Sequence, residues 1–181
     1  MMKRNIVFIF ILFLSLVASA QQSRLANQYF ANGEYEKAST LYRQLYEKEP
    51  ANEFYFQRVT ECLITMRKYD EAKDLVQAEM KKKPEVLSLM VTLGSLYDRM
   101  NEGDEAKKQY VAAINRLEKQ PHNTDDLARA FIGYSLFPEA IETYEKGGKI
   151  SNNLKQYAFS LADLYRRTSD TKKMIYYYLL A

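Results

Sequence analysis

The side chains best suited to catalysis are scarce in this chain. The sequence has one cysteine, Cys62, and one histidine, His122, which lie far apart. A nucleophilic thiol needs an adjacent base or a cationic neighbour to form its thiolate. The sequence also has no glycine-rich phosphate loop, no Gly-x-Ser-x-Gly turn and no metal-ligand spacing. We therefore predict that the protein is not an enzyme and that it takes no metal or organic cofactor.

Cys62 has a simpler interpretation than catalysis. A single cysteine cannot form a disulfide within the chain. It stands beside Leu63 in an apolar helical pattern, where cysteine behaves as a small hydrophobic residue. We predict that it is buried and unreactive.

The residues that must hold the fold together recur every 34 positions. Small residues recur as Ala38, Ala72, Ala106 and Ala140. Nine positions before each alanine, and one period further on, stand Tyr29, Leu63, Tyr97, Phe131 and Tyr165. A fixed period of this length predicts a stack of identical supersecondary units.

The pattern resembles the tetratricopeptide repeat, W-x₂-L-G-x₂-Y…A-x₃-F…P. The third copy matches best, through Met90, Leu93, Gly94, Tyr97, Ala106 and Tyr110. The resemblance covers roughly residues 22–181 but departs at two slots. The tryptophan slot holds Gln22, Phe56, Met90, Thr124 and Ala158, and the fifth alanine slot holds Met174. The resemblance implies an all-α fold, a right-handed α-solenoid of about five helix-turn-helix repeats. Their predicted bounds are 19–52, 53–86, 87–120, 121–154 and a truncated 155–181.

Glycine and proline mark the ends of the predicted helices. Gly33 suits a left-handed residue between the two helices of the first repeat. Pro50, Pro84 and Pro121 are predicted to end successive repeats. The pair Gly147-Gly148 predicts that the second helix of the fourth repeat ends earlier than its counterparts.

The first twenty residues predict a secretory signal peptide. Lys3 and Arg4 precede an apolar run, and Ala18-Ser19-Ala20 forms an A-x-A cleavage site. The apolar run is short for a membrane span, which needs about 20 residues, although an uncleaved anchor is the alternative. Gln21 follows the site, so a lipid anchor on cysteine is not supported there. We expect an exported bacterial protein, periplasmic or envelope-associated, that contacts the membrane only through the signal segment. The Gln-Gln start resembles exported proteins of the Bacteroidetes.

The charge balance argues against nucleic acid as a partner. The chain has 26 basic and 23 acidic residues, and Lys3 and Arg4 belong to the predicted signal peptide. The mature chain is therefore nearly neutral, so no general attraction to nucleic acid is expected.

The resemblance implies that protein partners bind along a concave surface lined by the first helix of each repeat. Its predicted lining is Asn27, Phe30, Gln57, Glu61, Ile64, Ser95, Asp98, Arg129, Ile132, Asp163 and Arg166. Five of these share one slot of the repeat and are expected to form a row: Asn27, Glu61, Ser95, Arg129 and Asp163. Within that row we expect Arg129 to pair with Asp163.

Other binding functions are alternatives to this scaffold. Clamping of chaperone tails is disfavoured, because Ser23, Ser88 and Thr92 occupy slots where basic residues are expected. Glycan capture by a helical-repeat protein of the outer envelope is a second candidate, and assembly of outer-membrane proteins is a third. Related proteins in these classes are usually lipid-anchored on cysteine, and the glycan receptors favour exposed tryptophan. This chain has Gln21 after the signal and no tryptophan.

The last predicted helix has an apolar surface without a predicted cover. Residues 176–180 read Tyr-Tyr-Tyr-Leu-Leu, whereas terminal repeats normally present a polar outer face. We expect either that the chain is the N-terminal part of a longer array or that it self-associates through this helix.

Overall fold

The computed structural model describes residues 19–181. The predicted signal peptide, residues 1–20, lies almost entirely outside this range. Within it the protein is all-helical, with ten α-helices and no strand. The fold is thus the helix-turn-helix repeat predicted from the sequence.

The second helix of each repeat begins 34 residues after the previous one. These helices are α2 (Tyr35–Lys48), α4 (Tyr69–Lys82), α6 (Gly103–Arg116), α8 (Phe137–Ile150) and α10 (Thr171–Leu180). The first helices are α1 (19–31), α3 (Glu53–Thr65), α5 (Ser88–Arg99), α7 (Thr124–Gly133) and α9 (Ala158–Arg167). Short 3₁₀ turns at Pro121–Asn123 and Leu154–Tyr157 precede α7 and α9.

The chain divides into two compact units, and the division falls within α4. Unit 1 ends at Ala72, and unit 2 comprises Lys73–Ala181. In unit 1, Ala38, Tyr42 and Leu45 are fully buried on one face of α2, at the i, i+4, i+7 spacing of an amphipathic helix. In unit 2 one continuous core runs from Leu87 to Tyr177.

The small slots are buried as predicted. Ala38, Ala72, Ala106 and Ala140 are each at most 1% exposed. A bulky side chain at such a position would push packed helices apart, because protein cores are close to crystalline density. The repeat period therefore records where helices must approach closely.

The turn between the two helices of each repeat uses the same backbone device five times. One residue per turn adopts a left-handed conformation with φ between 59° and 78°: Gly33, Arg67, Asn101, Ser135 and Ser169. The following amide donates to a carbonyl five residues earlier, as Glu34 N–H does to Tyr29 O at 2.8 Å. This is a Schellman helix ending. The left-handed role predicted for Gly33 is confirmed, and four other residue types adopt it too.

The prediction that Gly147-Gly148 shortens α8 is wrong. The helix continues through both glycines to Ile150 and has the same 14-residue length as α2 and α6. A Cβ built on Gly147 would lie 2.5 Å from Thr124 Oγ1, and one on Gly148 would lie 2.9 Å from Leu154 Cα. The glycines therefore allow the turns around α7 and α9 to approach α8. The propensity cost of about 1 kcal/mol per glycine is offset by this packing.

Candidate partner-binding faces

The first helices of unit 1 present a cluster of aromatic and charged side chains. The Arg58 guanidinium of α3 lies 4.7 Å from the ring centroid of Phe30 on α1 and 5.1 Å from that of Phe54. Arg58 Nη1 also donates to Glu61 Oε2 at 2.8 Å. The arginine is therefore held by two rings and a carboxylate, and the remaining guanidinium donors are available to a partner.

A buried tyrosine positions a second polar group on this face. Tyr42 is fully buried, and its hydroxyl donates to Asn27 Oδ1 at 2.6 Å. Its ring also contacts Phe54 edge-on at 6.1 Å. Burial raises the pKa of Tyr42, which keeps its proton in place as a donor. Because Asn27 accepts this bond with its oxygen, its Nδ2 group is left to donate to a partner.

These residues define the unit 1 face: Asn27, Phe30, Phe54, Gln57, Arg58 and Glu61. The Phe54 side chain is 40% exposed, so the face combines an accessible ring with oriented donors. Sequence analysis missed Phe54 and Arg58, which fall outside the slots that were considered. Their i, i+4 spacing on α3 is a signal that could have identified them, because such pairs meet on a helix surface.

Unit 2 repeats the tyrosine arrangement on α5. Tyr110 of α6 is 6% exposed and donates to Asp98 Oδ2 at 2.7 Å. Burial, and then this bond to Asp98, raise the pKa of Tyr110. On the next first helix, Tyr134 donates to Thr92 Oγ1 at 3.3 Å. Hydroxyls from the core thus orient polar residues of the first helices in both units.

Most of the predicted lining residues are accessible, but Ser95 is buried. The exposed ones are Asn27, Gln57, Glu61, Asp98, Arg129 and Arg166, and the partly buried ones are Phe30, Ile64, Ile132 and Asp163. Ser95 is 6% exposed, and its hydroxyl donates to the Thr92 carbonyl at 2.8 Å. It is bonded within its own helix, so its predicted place on a binding surface is corrected.

The expected pair between Arg129 and Asp163 is also corrected. Arg129 pairs with Asp126 three residues earlier on α7. Asp163 pairs with Arg166 and, at 2.8 Å, with Arg167, and these cations lower the pKa of the Asp163 carboxyl. Each charge is met within its own helix, where i, i+3 and i, i+4 partners are the nearest neighbours.

The described residues contain no group that points to catalysis. Within 19–181 no three His, Cys, Asp or Glu side chains are placed to hold a metal ion. Cys62 is fully buried, as predicted, and burial raises the pKa of its thiol to about 11. In the same part of the chain, no helix is both long and apolar enough to span a bilayer.

Comparison with known proteins supports the repeat resemblance. No protein-family model matches the chain. "Protein STIP1 homolog" of Dictyostelium discoideum is 23% identical over 164 residues, covering 72% of this chain and 29% of that protein. "TPR repeat-containing protein MJ1428" of Methanocaldococcus jannaschii is 25% identical over 149 residues, covering 82% and 26%. The chain thus spans less than a third of these relatives. The solved structure of MamA from Desulfovibrio magneticus RS-1 is 14% identical with a TM-score of 0.47, covering 89% of this chain and 91% of that one.

Proposed function

We propose that this chain is a non-enzymatic scaffold that binds segments of partner proteins on the faces formed by its first helices. The relative named for its tetratricopeptide repeats supports an interaction role. The observation that carries the proposal is the unit 1 face, where Arg58 lies between Phe30 and Phe54. A side chain already held in place loses little conformational entropy when a partner binds.

The geometry of the unit 1 face favours an extended polypeptide as its ligand. Asn27 Nδ2 and the free guanidinium edge of Arg58 offer donors that match peptide carbonyl oxygens. The exposed ring of Phe54 offers an apolar contact beside them. The predicted residues Gln57 and Glu61 lie on the same helix and would line the same segment.

The other predicted lining residues would extend binding along unit 2. Asp98 is oriented by Tyr110, and Arg129 and Arg166 are exposed. Ile132 would add a partly exposed apolar side chain. Ile64 would play the same part in unit 1.

We also propose that the protein acts in the bacterial envelope after export. Only the signal-peptide pattern of residues 1–20 supports this location. The exposed apolar residues of α10 support the accompanying expectation of a longer repeat array or of self-association. The comparisons do not favour the alternative of glycan capture, since the relatives carry protein names of the repeat class.

Site-specific photo-crosslinking in the native host tests the scaffold directly. A photoreactive amino acid at Gln57 samples the unit 1 face. The same amino acid at Glu47, an exposed residue of α2, is the positional control. We expect a dominant protein adduct from position 57 and none from position 47. The adduct should be lost in Asn27→Ala and Arg58→Ala and retained in Arg43→Ala, a matched change on α2.

Two results would overturn the proposal. One is equal crosslinking from the two positions, which indicates non-specific encounters. The other is no protein adduct from position 57 while circular dichroism shows a folded, helical chain.

A further inference from the structure

The outer side of α10 is the most exposed apolar surface among the described residues of unit 2. Leu179 is 84% exposed, Ile175 50% and Tyr178 45%. The Phe159 side chain of α9 is 69% exposed, and its ring lies 6.4 Å from that of Tyr178. Contiguous exposed apolar side chains of this size mark interaction surfaces.

The fourth repeat shows what covers these positions when they are buried. Ile141 and Tyr144 of α8 stand one period before Ile175 and Tyr178, and they are 9% and 4% exposed. The Tyr144 ring packs against Tyr157, in the turn before α9, at 5.0 Å. The same two side-chain types are thus buried on α8 and exposed on α10. The difference is the helix pair that lies on α8.

The third position of this surface differs in chemistry between the two helices. One period before Leu179 stands Glu145, whose Oε1 accepts hydrogen bonds from two tyrosines of the following pair. Tyr165 of α9 donates at 2.7 Å and Tyr177 of α10 at 3.1 Å. Leu179 offers no acceptor, so a hydroxyl packed against it would lose its hydrogen bond with water and gain none in return.

We propose that the outer side of α10 binds a partner helix pair of this repeat type, packed as α9 and α10 pack on α8. The partner's residues opposite Leu179 are apolar and replace the two tyrosines that face Glu145. The proposal extends the scaffold described above from the faces of the first helices to the end of unit 2. It is tested independently of the unit 1 face.

A cycle of extended variants tests the packing and its chemistry together. A copy of residues 148–181 is joined in register after Ala181, so that the copied α9–α10 pair can fold onto α10. The copy is made with its counterparts of Tyr165 and Tyr177 either kept or changed to phenylalanine. Each version is made on the natural chain and on the Leu179→Glu background, giving four proteins.

The pairing of residue types predicts which combinations are most stable. On the natural chain, the phenylalanine copy should raise the thermal unfolding midpoint more than the tyrosine copy does. On the Leu179→Glu background the order should reverse, because the tyrosine copy then reproduces the contacts of Glu145. That second combination is also the folding control. Far-UV circular dichroism should show the added helical signal in the best pair of each background.

Several outcomes would refute the proposal. One is a folded tyrosine copy on Leu179→Glu without a folded phenylalanine copy on the natural chain. Another is an order of midpoints that does not depend on residue 179. A third comes from light scattering on the chain without a copy: a dimer that Ile175→Lys converts to a monomer would show that a second copy of the chain is the occupant. Gln57 crosslinking reports on the scaffold separately, because it samples unit 1.

Discussion

Replacing Ser135 by glycine should stabilise unit 2. Ser135 holds the left-handed position between α7 and α8 with φ 61°. It is exposed, and within residues 19–181 its side chain makes no hydrogen bond. The substitution therefore changes the backbone conformational preference and little else. Glycine adopts this region freely, whereas the Cβ of another residue crowds the following carbonyl.

The expected gain follows from two opposing effects. Removing Cβ relieves about 1–2 kcal/mol of left-handed strain. Glycine also gains freedom in the unfolded chain, which costs about 0.4–1 kcal/mol. The net increase in the free energy of unfolding is about 0.5–1 kcal/mol. Urea unfolding followed by circular dichroism at 222 nm can resolve a change of this size.

The same substitution at Ser151 is the matched control. Ser151 follows α8 with φ −78°, so it has no left-handed strain to relieve. Its hydroxyl also donates to Gly148 O at 3.3 Å. Ser151→Gly should lower stability by about 0.5–1 kcal/mol. A loss of stability in Ser135→Gly equal to the loss in Ser151→Gly would refute the reasoning from backbone conformation.

Three further predictions concern packing. Gly94→Ala should lower the free energy of unfolding by about 1–3 kcal/mol by overpacking, because its Cβ would lie 2.7 Å from Tyr110 Cδ1; an unchanged urea midpoint would show that the ring moves freely. Gly147→Ala should destabilise by a similar amount, about 1–3 kcal/mol, through its clash with the buried Thr124, and a gain in stability would contradict the role given to this glycine. Cys62, with its pKa raised to about 11, should resist a thiol reagent at pH 8 until urea unfolds the chain, and fast labelling of the folded protein would disprove its burial. Its protonated form is favoured in the folded state, so its contribution to stability should be complete below the unfolded pKa of about 8.5 and be lost as pH rises through about 11.

The unit 1 face illustrates how far slot reasoning can reach. Asn27 and Glu61 were identified because their slot faces away from the buried stripe, and both are exposed. Arg58 was missed because its role depends on rings from two helices, Phe30 on α1 and Phe54 on α3. No spacing within one helix states which cation a ring on another helix will contact. Ser95 shares the slot of Asn27 and Glu61, yet its neighbours bury it.

The repeat period was readable from the chain because burial at a helix crossing limits residue size, and that limit recurs at each repeat. Ala38, Ala72, Ala106 and Ala140 therefore marked the units before any coordinates were known. The period could not show how far each helix continues or which charges pair. Gly147 remains within α8 because Thr124 needs the space beside it, and Arg129 bonds to Asp126 because that carboxylate is nearest in three dimensions. Local spacing encodes which side chains are buried, whereas contacts between helices depend on distances that only the folded chain creates.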